Sequence, residues 1–235
     1  PLIEGLEFED SNLSPEIALN YYVTDNTSVY VAWKRAFKSG GIDNSALPTA
    51  SINPLSPTFE GFDALIYESE EAEGFEIGLK SNLLDNSLRI NATYYFYEYT
   101  DLQVQLFDAN IIQFSTFNAG AVETEGFEAD MLWYTDVEGL TLRGQFAWTD
   151  ATNTGDFFNT SGVNLRGSER SYSPEFAGSL GFSFDAGLGA GWRVNLSSDA
   201  RYSDDYGWGV YKNSPRQDSF WMNDAAISIY SEDGT

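Results

Sequence analysis

The sequence predicts an all-β fold in which long antiparallel strands follow one another up and down, as they do in a transmembrane β-barrel. Apolar and polar residues alternate with a period of two, most clearly between Glu71 and Tyr134, and this pattern gives a sheet one apolar and one polar face. Several runs exceed the roughly 5–6 residues usual in soluble strands and suit the about 9–11 residues of a tilted membrane strand. Short and long connections also alternate, which is typical of outer-membrane barrels.

The alternation predicts about nine strands, because that many two-faced runs occur between turn-forming segments. We place these strands at residues 14–23, 28–38, 70–83, 87–107, 111–135, 140–150, 173–185, 192–202 and 217–230. The first eight are identified by apolar residues on one side, in chain order Ile17 and Leu19, Val29 and Val31, Phe75 and Ile77, Leu88 and Ile90, Phe127 and Met131, Leu142 and Phe146, Leu180 and Phe182, and Val194 and Leu196.

Turn-forming residues and aromatic residues indicate where each strand ends. Asp-Asn pairs and glycines predict short turns at 25–26, 85–86, 136–139 and 186–191. The connections 39–69, 151–172 and 204–215 are long, and 108–110 is a short exception. Amphipathic rings near both strand ends predict belts at the lipid headgroups, formed by Tyr21, Tyr22, Trp133, Tyr134, Trp192 and Tyr230 near the short turns and by Trp33, Phe37, Tyr99, Trp148 and Tyr202 toward the other end.

A soluble antiparallel sandwich is the alternative, since its strands alternate too. Strand length favours the membrane barrel, and the apolar face of a lone sheet needs lipid or a second layer to cover it. The sequence has no run of about 18 apolar residues that would predict a transmembrane helix.

Composition excludes several function classes. The chain of 235 residues has 36 acidic and 12 basic residues and a net charge of −24, which argues against a nucleic-acid partner because a phosphate backbone needs a basic face. It contains no Cys and no His, so this segment has no thiolate nucleophile, no Cys/His zinc site and no Ser-His-Asp triad. We therefore predict no catalytic residue, no metal site and no cofactor. The sequence begins at Pro1 and not at Met, and we expect it to be a segment of a longer protein.

A set of short motifs, each weak alone, is specific in its order and spacing. The motifs are Ser14-Pro15-Glu16, Ala36-Phe37-Lys38-Ser39-Gly40-Gly41, Glu73-Gly74-Phe75-Glu76-Ile77-Gly78-Leu79-Lys80, Tyr99-Thr100-Asp101-Leu102-Gln103-Val104, Asn118-Ala119-Gly120, Glu125-Gly126-Phe127-Glu128, Gly139-Leu140-Thr141-Leu142 and Ser173-Pro174-Glu175. With these motifs, nearly the whole chain resembles the C-terminal part of the β-barrel of TonB-dependent outer-membrane receptors.

The resemblance implies energised uptake and no enzymatic activity. Family members bind a scarce nutrient, often a ferric siderophore, at the outer face of the outer membrane of Gram-negative bacteria. An N-terminal plug fills their barrel, and the TonB complex pulls on it. We expect residues 1–235 to form part of such a barrel, which has about 22 strands, without a plug, and to meet outer-membrane lipid and lipopolysaccharide. A different outer-membrane barrel, such as a porin or an adhesin translocator, and a soluble carbohydrate-binding β-protein are the alternatives.

The long loops contain the candidate ligand-binding residues. Arginine forks suit carboxylate- or catecholate-bearing chelates and aromatic rings supply apolar contact, which selects Arg166, Arg170, Trp208, Tyr211 and Arg216. Ordinary loop decoration or contact with lipopolysaccharide phosphates is the alternative for each.

Acidic residues suggest two further sites, each with a simpler explanation. Asp101, Asp204 and Asp205 could join a calcium site, but we expect a solvated acidic loop instead. The row Glu123, Glu125, Glu128 and Asp130 could supply paired carboxylates, but we expect lumen-facing carboxylates instead.

Overall fold

The chain forms one large antiparallel sheet and two small two-stranded sheets beside its loops. A computed structural model describes residues 7–43, 65–108, 113–159, 162–209 and 214–231. Within these ranges the strands are β1 (Glu16–Thr24), β2 (Thr27–Lys38), β3 (Gly41–Ile42), β4 (Ile66–Tyr67), β5 (Glu70–Leu83), β6 (Leu88–Asp108), β7 (Gln113–Tyr134), β8 (Leu140–Asn153), β9 (Phe176–Gly189), β10 (Trp192–Ser203), β11 (Tyr206–Gly207), β12 (Arg216–Gln217) and β13 (Phe220–Ser231).

The large sheet of the described residues has nine strands in the order β1-β2-β5-β6-β7-β8-β9-β10-β13. Each neighbouring pair is antiparallel, so the predicted up-and-down order is confirmed. β9 continues to Gly189 and leaves a turn of only Ala190 and Gly191, both with positive φ, which shortens the predicted turn 186–191. The small pairs β3–β4 and β11–β12 were not predicted, because two residues are too short to show a period.

The two faces of the sheet follow the predicted alternation. One lateral row contains Val31, Ile77, Tyr94 and Phe127, and the next contains Tyr30, Gly78, Thr93 and Glu128. We call the side of the first row the apolar face and the side of the second the polar face. Each face is continuous across the strands because the register keeps side chains of one kind opposite one another.

The apolar face is open to its surroundings. Leu180 is 64% exposed and Ile227 is 74% exposed, and no second layer among the described residues covers this face. The arrangement contradicts a two-layer sandwich, in which the apolar sides would be sealed against each other. The described ranges contain no helix that is long and apolar enough to cross a membrane.

Carboxylates cross the apolar face near the ends of the strands that carry the long loops. Glu73, Glu98 and Glu123 lie directly opposite one another on β5, β6 and β7, and all three are exposed. We call them the glutamate row. The expectation that Glu123 and Glu125 face the lumen with Glu128 is therefore wrong, because an odd number of positions separates Glu125 from Glu128 and reverses the face.

The predicted aromatic belts are also divided between the two faces. Trp33 and Trp148 lie on the apolar face, and the indole N–H of Trp33 donates to Glu73 at 3.1 Å. Tyr99 pairs with Val122 and lies on the polar face. Tyr230 lies there too and donates its hydroxyl to Asp185. An aromatic ring near a strand end therefore does not always face lipid. Successive side chains point to opposite faces, so the position of the residue in the strand decides which face its ring lies on.

Candidate functional site

The long connections gather at one end of the sheet around the extended β6–β7 hairpin. β4 lies against β7 on one side, where the carboxylate of Asp43 accepts a hydrogen bond of 2.8 Å from the backbone N–H of Thr116. On the other side, the connection after β8 packs on the hairpin through Phe157 and Leu165. The hairpin is therefore a central support between two loops.

A local change of backbone conformation marks the base of this support. Asp101 on β6 has φ +52° and Gly120, at the facing position on β7, has φ +21°. Ordinary pairing continues on both sides, with Thr100 opposite Ala121 and Leu102 opposite Ala119. A Cβ at Gly120 would come within 3.0 Å of the backbone of residues 155 and 156. The position therefore requires glycine both for its conformation and for the close approach of the next loop.

Two amides beside this point connect the hairpin to the loop before β5. The Nε2 of Gln103 donates to the carbonyl of Ser39 at 2.9 Å and to that of Glu68 at 3.1 Å. The Nδ2 of Asn118 donates to the carbonyls of Glu68 at 2.9 Å and Asp101 at 2.7 Å, while its Oδ1 accepts from the N–H of Glu68 at 2.7 Å. These amides belong to the Tyr99–Val104 and Asn118–Gly120 motifs, whose structural role is thus to fix the loops.

A small apolar cluster fixes the connection after β8. Leu165 is 2% exposed and packs with Phe157 and Ala119, and the rings of Phe157 and Phe117 lie 6.2 Å apart. This segment was predicted as a polar loop. It is an ordered element, because its few apolar side chains are buried together against the hairpin.

Arg216 joins the two loops that follow. Its guanidinium pairs with Glu169 in the first loop and, at 2.7 Å, with Asp205 in the second. The hydrogen bonds to Glu169 and then Asp205 raise the pKa of Arg216 above its usual value. The N–H of Tyr172 also donates to the carbonyl of Gly207 at 2.9 Å. Arg216 is thus occupied in holding loops together.

The other candidate residues are placed differently from one another. Arg166 is exposed and lies 3.7 Å from Asp156. Trp208 is 50% exposed, and its backbone N–H donates to the carbonyl of Pro215 at 3.0 Å. Tyr211 lies outside the described residues. Among the four candidates that the structure describes, no hydrogen bond or ion pair joins one candidate side chain to another.

Of the candidates within the described residues, Arg170 alone is half-buried over the polar face. Its backbone N–H donates to Ala151 at 2.8 Å, and its Nη1 donates to the Oδ1 of Asn153 at 3.2 Å. Burial lowers the pKa of Arg170 from its usual value. Asn153, which the sequence did not single out, is 5% exposed. No sequence signal marks it, since its role depends on how the loop folds back.

Two of the three acidic residues considered for calcium, Asp204 and Asp205, are held by other contacts. Arg216 binds Asp205, and the Oδ1 of Asp204 accepts a hydrogen bond of 3.2 Å from the hydroxyl of Tyr202. In the part of the chain that the structure describes, no group of three His, Cys, Asp or Glu side chains is arranged to hold a metal ion.

The polar face forms the wall below the loops. It has a depression of about 550 Å³ whose lining includes Asn91, Glu128, Asp130, Gln145 and Arg201. Polar and charged groups of both signs line it, so this wall suits water or another polar protein surface and not lipid.

Comparison with known proteins identifies relatives at the level of family and fold. The family model described as TonB dependent receptor-like, beta-barrel matches residues 4–231. No curated protein is significantly similar in sequence to the chain.

Solved structures resemble the large sheet. The ferric yersiniabactin uptake receptor FyuA of Yersinia pestis superposes with a TM-score of 0.68 at 14% identity, covering 90% of this chain and 29% of that receptor. The siderophore receptor PiuA of Acinetobacter baumannii gives 0.65 at 21% identity, covering 90% and 28%. BauA, the ferric preacinetobactin receptor of the same species, gives 0.66 at 18%, covering 93% and 29%. The chain thus spans under a third of each receptor's length, and the likeness concerns the fold.

Proposed function

The chain belongs to the TonB-dependent receptor-like β-barrel family, and on this premise we propose that it forms part of an outer-membrane transporter that takes up a scarce nutrient, such as a ferric siderophore, with energy supplied through TonB. Membership of the family places the chain in the outer membrane of a Gram-negative bacterium. The nine-stranded sheet is accordingly part of a larger barrel, and residues 1–235 are proposed to belong to that one domain.

The observation that carries the proposal is the combination of a two-faced wall with an ordered loop assembly at one rim. The exposed apolar face suits lipid, and the polar face beneath the loops suits a water-filled or protein-filled lumen. The β6–β7 hairpin, the loop after β8 and the β11–β12 loop are tied by specific contacts, so they form a shaped surface above the lumen.

The nutrient class is proposed from the similar structures. FyuA, PiuA and BauA are described as receptors for ferric yersiniabactin, a siderophore and ferric preacinetobactin. We propose a metal chelate as the ligand here. We also propose that it contacts side chains among the loop residues Arg166, Arg170, Trp208, Tyr211 and Arg216. Transport, and not catalysis, is the proposed role, and it requires no cofactor.

Three partners complete the proposed transporter. Outer-membrane lipid and lipopolysaccharide would cover the apolar face, which no described part of the chain covers. The N-terminal plug of the full-length protein would occupy the lumen against the polar face, and the TonB complex would act on that plug. Nucleic acid is not among the proposed partners, because the net charge of −24 repels phosphate.

Deleting the full-length gene and complementing it tests the proposal. Cells that depend on this receptor should take up radio-iron from at least one ferric siderophore, and a proton uncoupler should abolish uptake while surface binding persists. Uptake that continues after uncoupling would contradict TonB energisation. A deletion strain that takes up every siderophore at the wild-type rate would contradict the proposed nutrient class.

A further inference from the structure

Arg170 occupies the loop rim of the polar face in a way that no other arginine of the chain does. We propose that its guanidinium binds an anionic oxygen of the transported metal chelate, and this inference rests on the proposed uptake function. The class of group is a carboxylate or an ionised phenol oxygen, because both present the charge and lone pairs that a guanidinium fork accepts.

The side chain of Arg170 is held in place by a neutral group. Its Nη1 donates to the Oδ1 of Asn153 at 3.2 Å. The Nδ2 of Asn153 donates to the carbonyl of Ser168 at 3.1 Å and to its Oγ at 3.0 Å. Because the amide nitrogen is engaged by Ser168, the amide oxygen must face the guanidinium. This contact uses one of five N–H donors and leaves the rest of the fork for another acceptor.

Arg170 forms no ion pair within the described residues. Arg35, Arg143, Arg166, Arg193, Arg201 and Arg216 each pair with a carboxylate, and Arg89 is exposed. Arg170 is half-buried without an ion pair, in a chain of net charge −24. Removing a charge from water without a directly paired counter-charge is unfavourable, so an arriving anion that pairs with the guanidinium would be stabilised.

Glu70, the carboxylate that interacts electrostatically with Arg170, does not occupy the fork. Its Oε2 accepts a hydrogen bond of 2.9 Å from the backbone N–H of Gln103, which holds it at the base of the β6–β7 hairpin. Glu70 therefore leaves the remaining N–H groups of the guanidinium to another acceptor.

Tyr99 carries a hydroxyl on the same lateral row of the polar face as Asn153. Tyr99, Val122 and Asn153 form one lateral row of the polar face, so the backbones of Tyr99 and Asn153 are roughly 10 Å apart, two strand spacings of about 4.8 Å. Val122 between them is 5% exposed. Among the described residues the Tyr99 hydroxyl has no hydrogen-bond partner. The row thus carries a hydroxyl two strands away from the amide that holds Arg170.

The test uses the full-length receptor in cells that lack other ferric-chelate receptors. Binding at low temperature is measured with radio-iron as ferric citrate and ferric enterobactin, which are anionic, and as ferrichrome, which is neutral. The variants are Arg170→Gln, Arg170→Lys and the matched control Arg89→Gln, which removes an exposed arginine at the short-turn end of β6. We expect Arg170→Gln to weaken binding of an anionic chelate at least about tenfold, as the loss of a charge-assisted contact should. Binding by Arg170→Lys should fall between that of wild type and that of Arg170→Gln, and binding by Arg89→Gln should stay within about twofold of wild type.

Several results would overturn the assignment of Arg170. One is wild-type binding of the anionic chelate by Arg170→Gln, and another is a receptor that binds only the neutral chelate. The assignment would also be overturned if Arg170→Gln weakened the binding of neutral and anionic chelates equally, since Arg170 would then support the loop or the plug instead. A wild-type receptor that binds no ferric chelate at all would reject the proposed function itself, and with it this inference.

Discussion

Tyr30 on β2 reaches across Gly78 of β5 and places its hydroxyl 3.0 Å from the Oγ1 of Thr93 on β6. A methyl group on Gly78 would overlap the Tyr30 ring. Tyr95 crosses Gly126 in the same manner and reaches the Oγ1 of Thr149 at 3.1 Å. Each contact joins two strands that are not paired with each other, so the glycine between them is needed for the close approach of a side chain.

Gly78→Ala in the full-length receptor should destabilise the barrel by about 1–3 kcal/mol, the usual cost of overpacking. The added methyl group must displace the Tyr30 ring and break its contact with Thr93. Gly187→Ala is the matched control, because a Cβ there meets nothing within 4 Å. The measurement is the temperature at which the folded band is lost in semi-native electrophoresis. Equal temperatures for the two variants would show that the crossing does not stabilise the wall.

Leu180→Arg and Ser179→Arg change neighbouring residues that face opposite sides of β9. An arginine on the lipid side of a barrel costs about 2–4 kcal/mol near the membrane centre, whereas the lumen side tolerates it. We therefore expect Leu180→Arg to reduce the amount of folded receptor in the outer membrane and Ser179→Arg to leave it near the wild-type amount. Quantitative blotting of membrane fractions measures both. The opposite ranking would mean that the two faces have been assigned the wrong way round.

Asn118→Ala removes two hydrogen bonds that connect Glu68 to the hairpin and one that joins β7 to Asp101 of β6. Leaving such backbone groups unsatisfied costs about 1–3 kcal/mol, so the loop before β5 should open more often. Protease added to intact cells should cleave this variant faster than wild type. Thr116→Ala is the control, since the N–H of Thr116 still donates to Asp43. Identical cleavage rates in both variants would show that the side-chain amide of Asn118 does not hold the loop before β5 in place.

Replacing residues 156–171 of the full-length receptor by a short Gly-Ser linker removes Phe157, Leu165 and Arg170 while it keeps all of β8. The bonds from the N–H groups of Thr154 and Gly155 to the carbonyl of Ala121 also remain. We expect normal insertion and at least about tenfold weaker chelate binding, because the ordered loop and its charge are lost. Radio-iron binding and membrane blots check these outcomes. An unchanged affinity would remove the loop from the binding surface.

The strands were predictable because a period of two persists over many residues. The predicted strand 14–23 became Glu16–Thr24, and 87–107 became Leu88–Asp108. The face on which each side chain lies was harder to predict. For Glu125 it depends on counting positions from Phe127 through a motif that contains Gly126. The link between Arg170 and Asn153 could not be predicted, because it joins a loop to a strand end through a fold that has no periodic sequence signal.

The glutamate row on β5, β6 and β7 has a consequence for how deeply the protein is immersed. Like charges directly opposite one another are tolerated only when they are hydrated, so the hydrocarbon must end below Glu98. The stretch of β6 from Leu88 to Glu98 then matches the about 9–11 residues of a membrane-crossing strand. The remainder of β6, from Tyr99 to Asp108, extends beyond the bilayer. Deeper insertion would move the carboxylates of Glu73, Glu98 and Glu123 into hydrocarbon, so the glutamate row limits the depth of the sheet in the membrane.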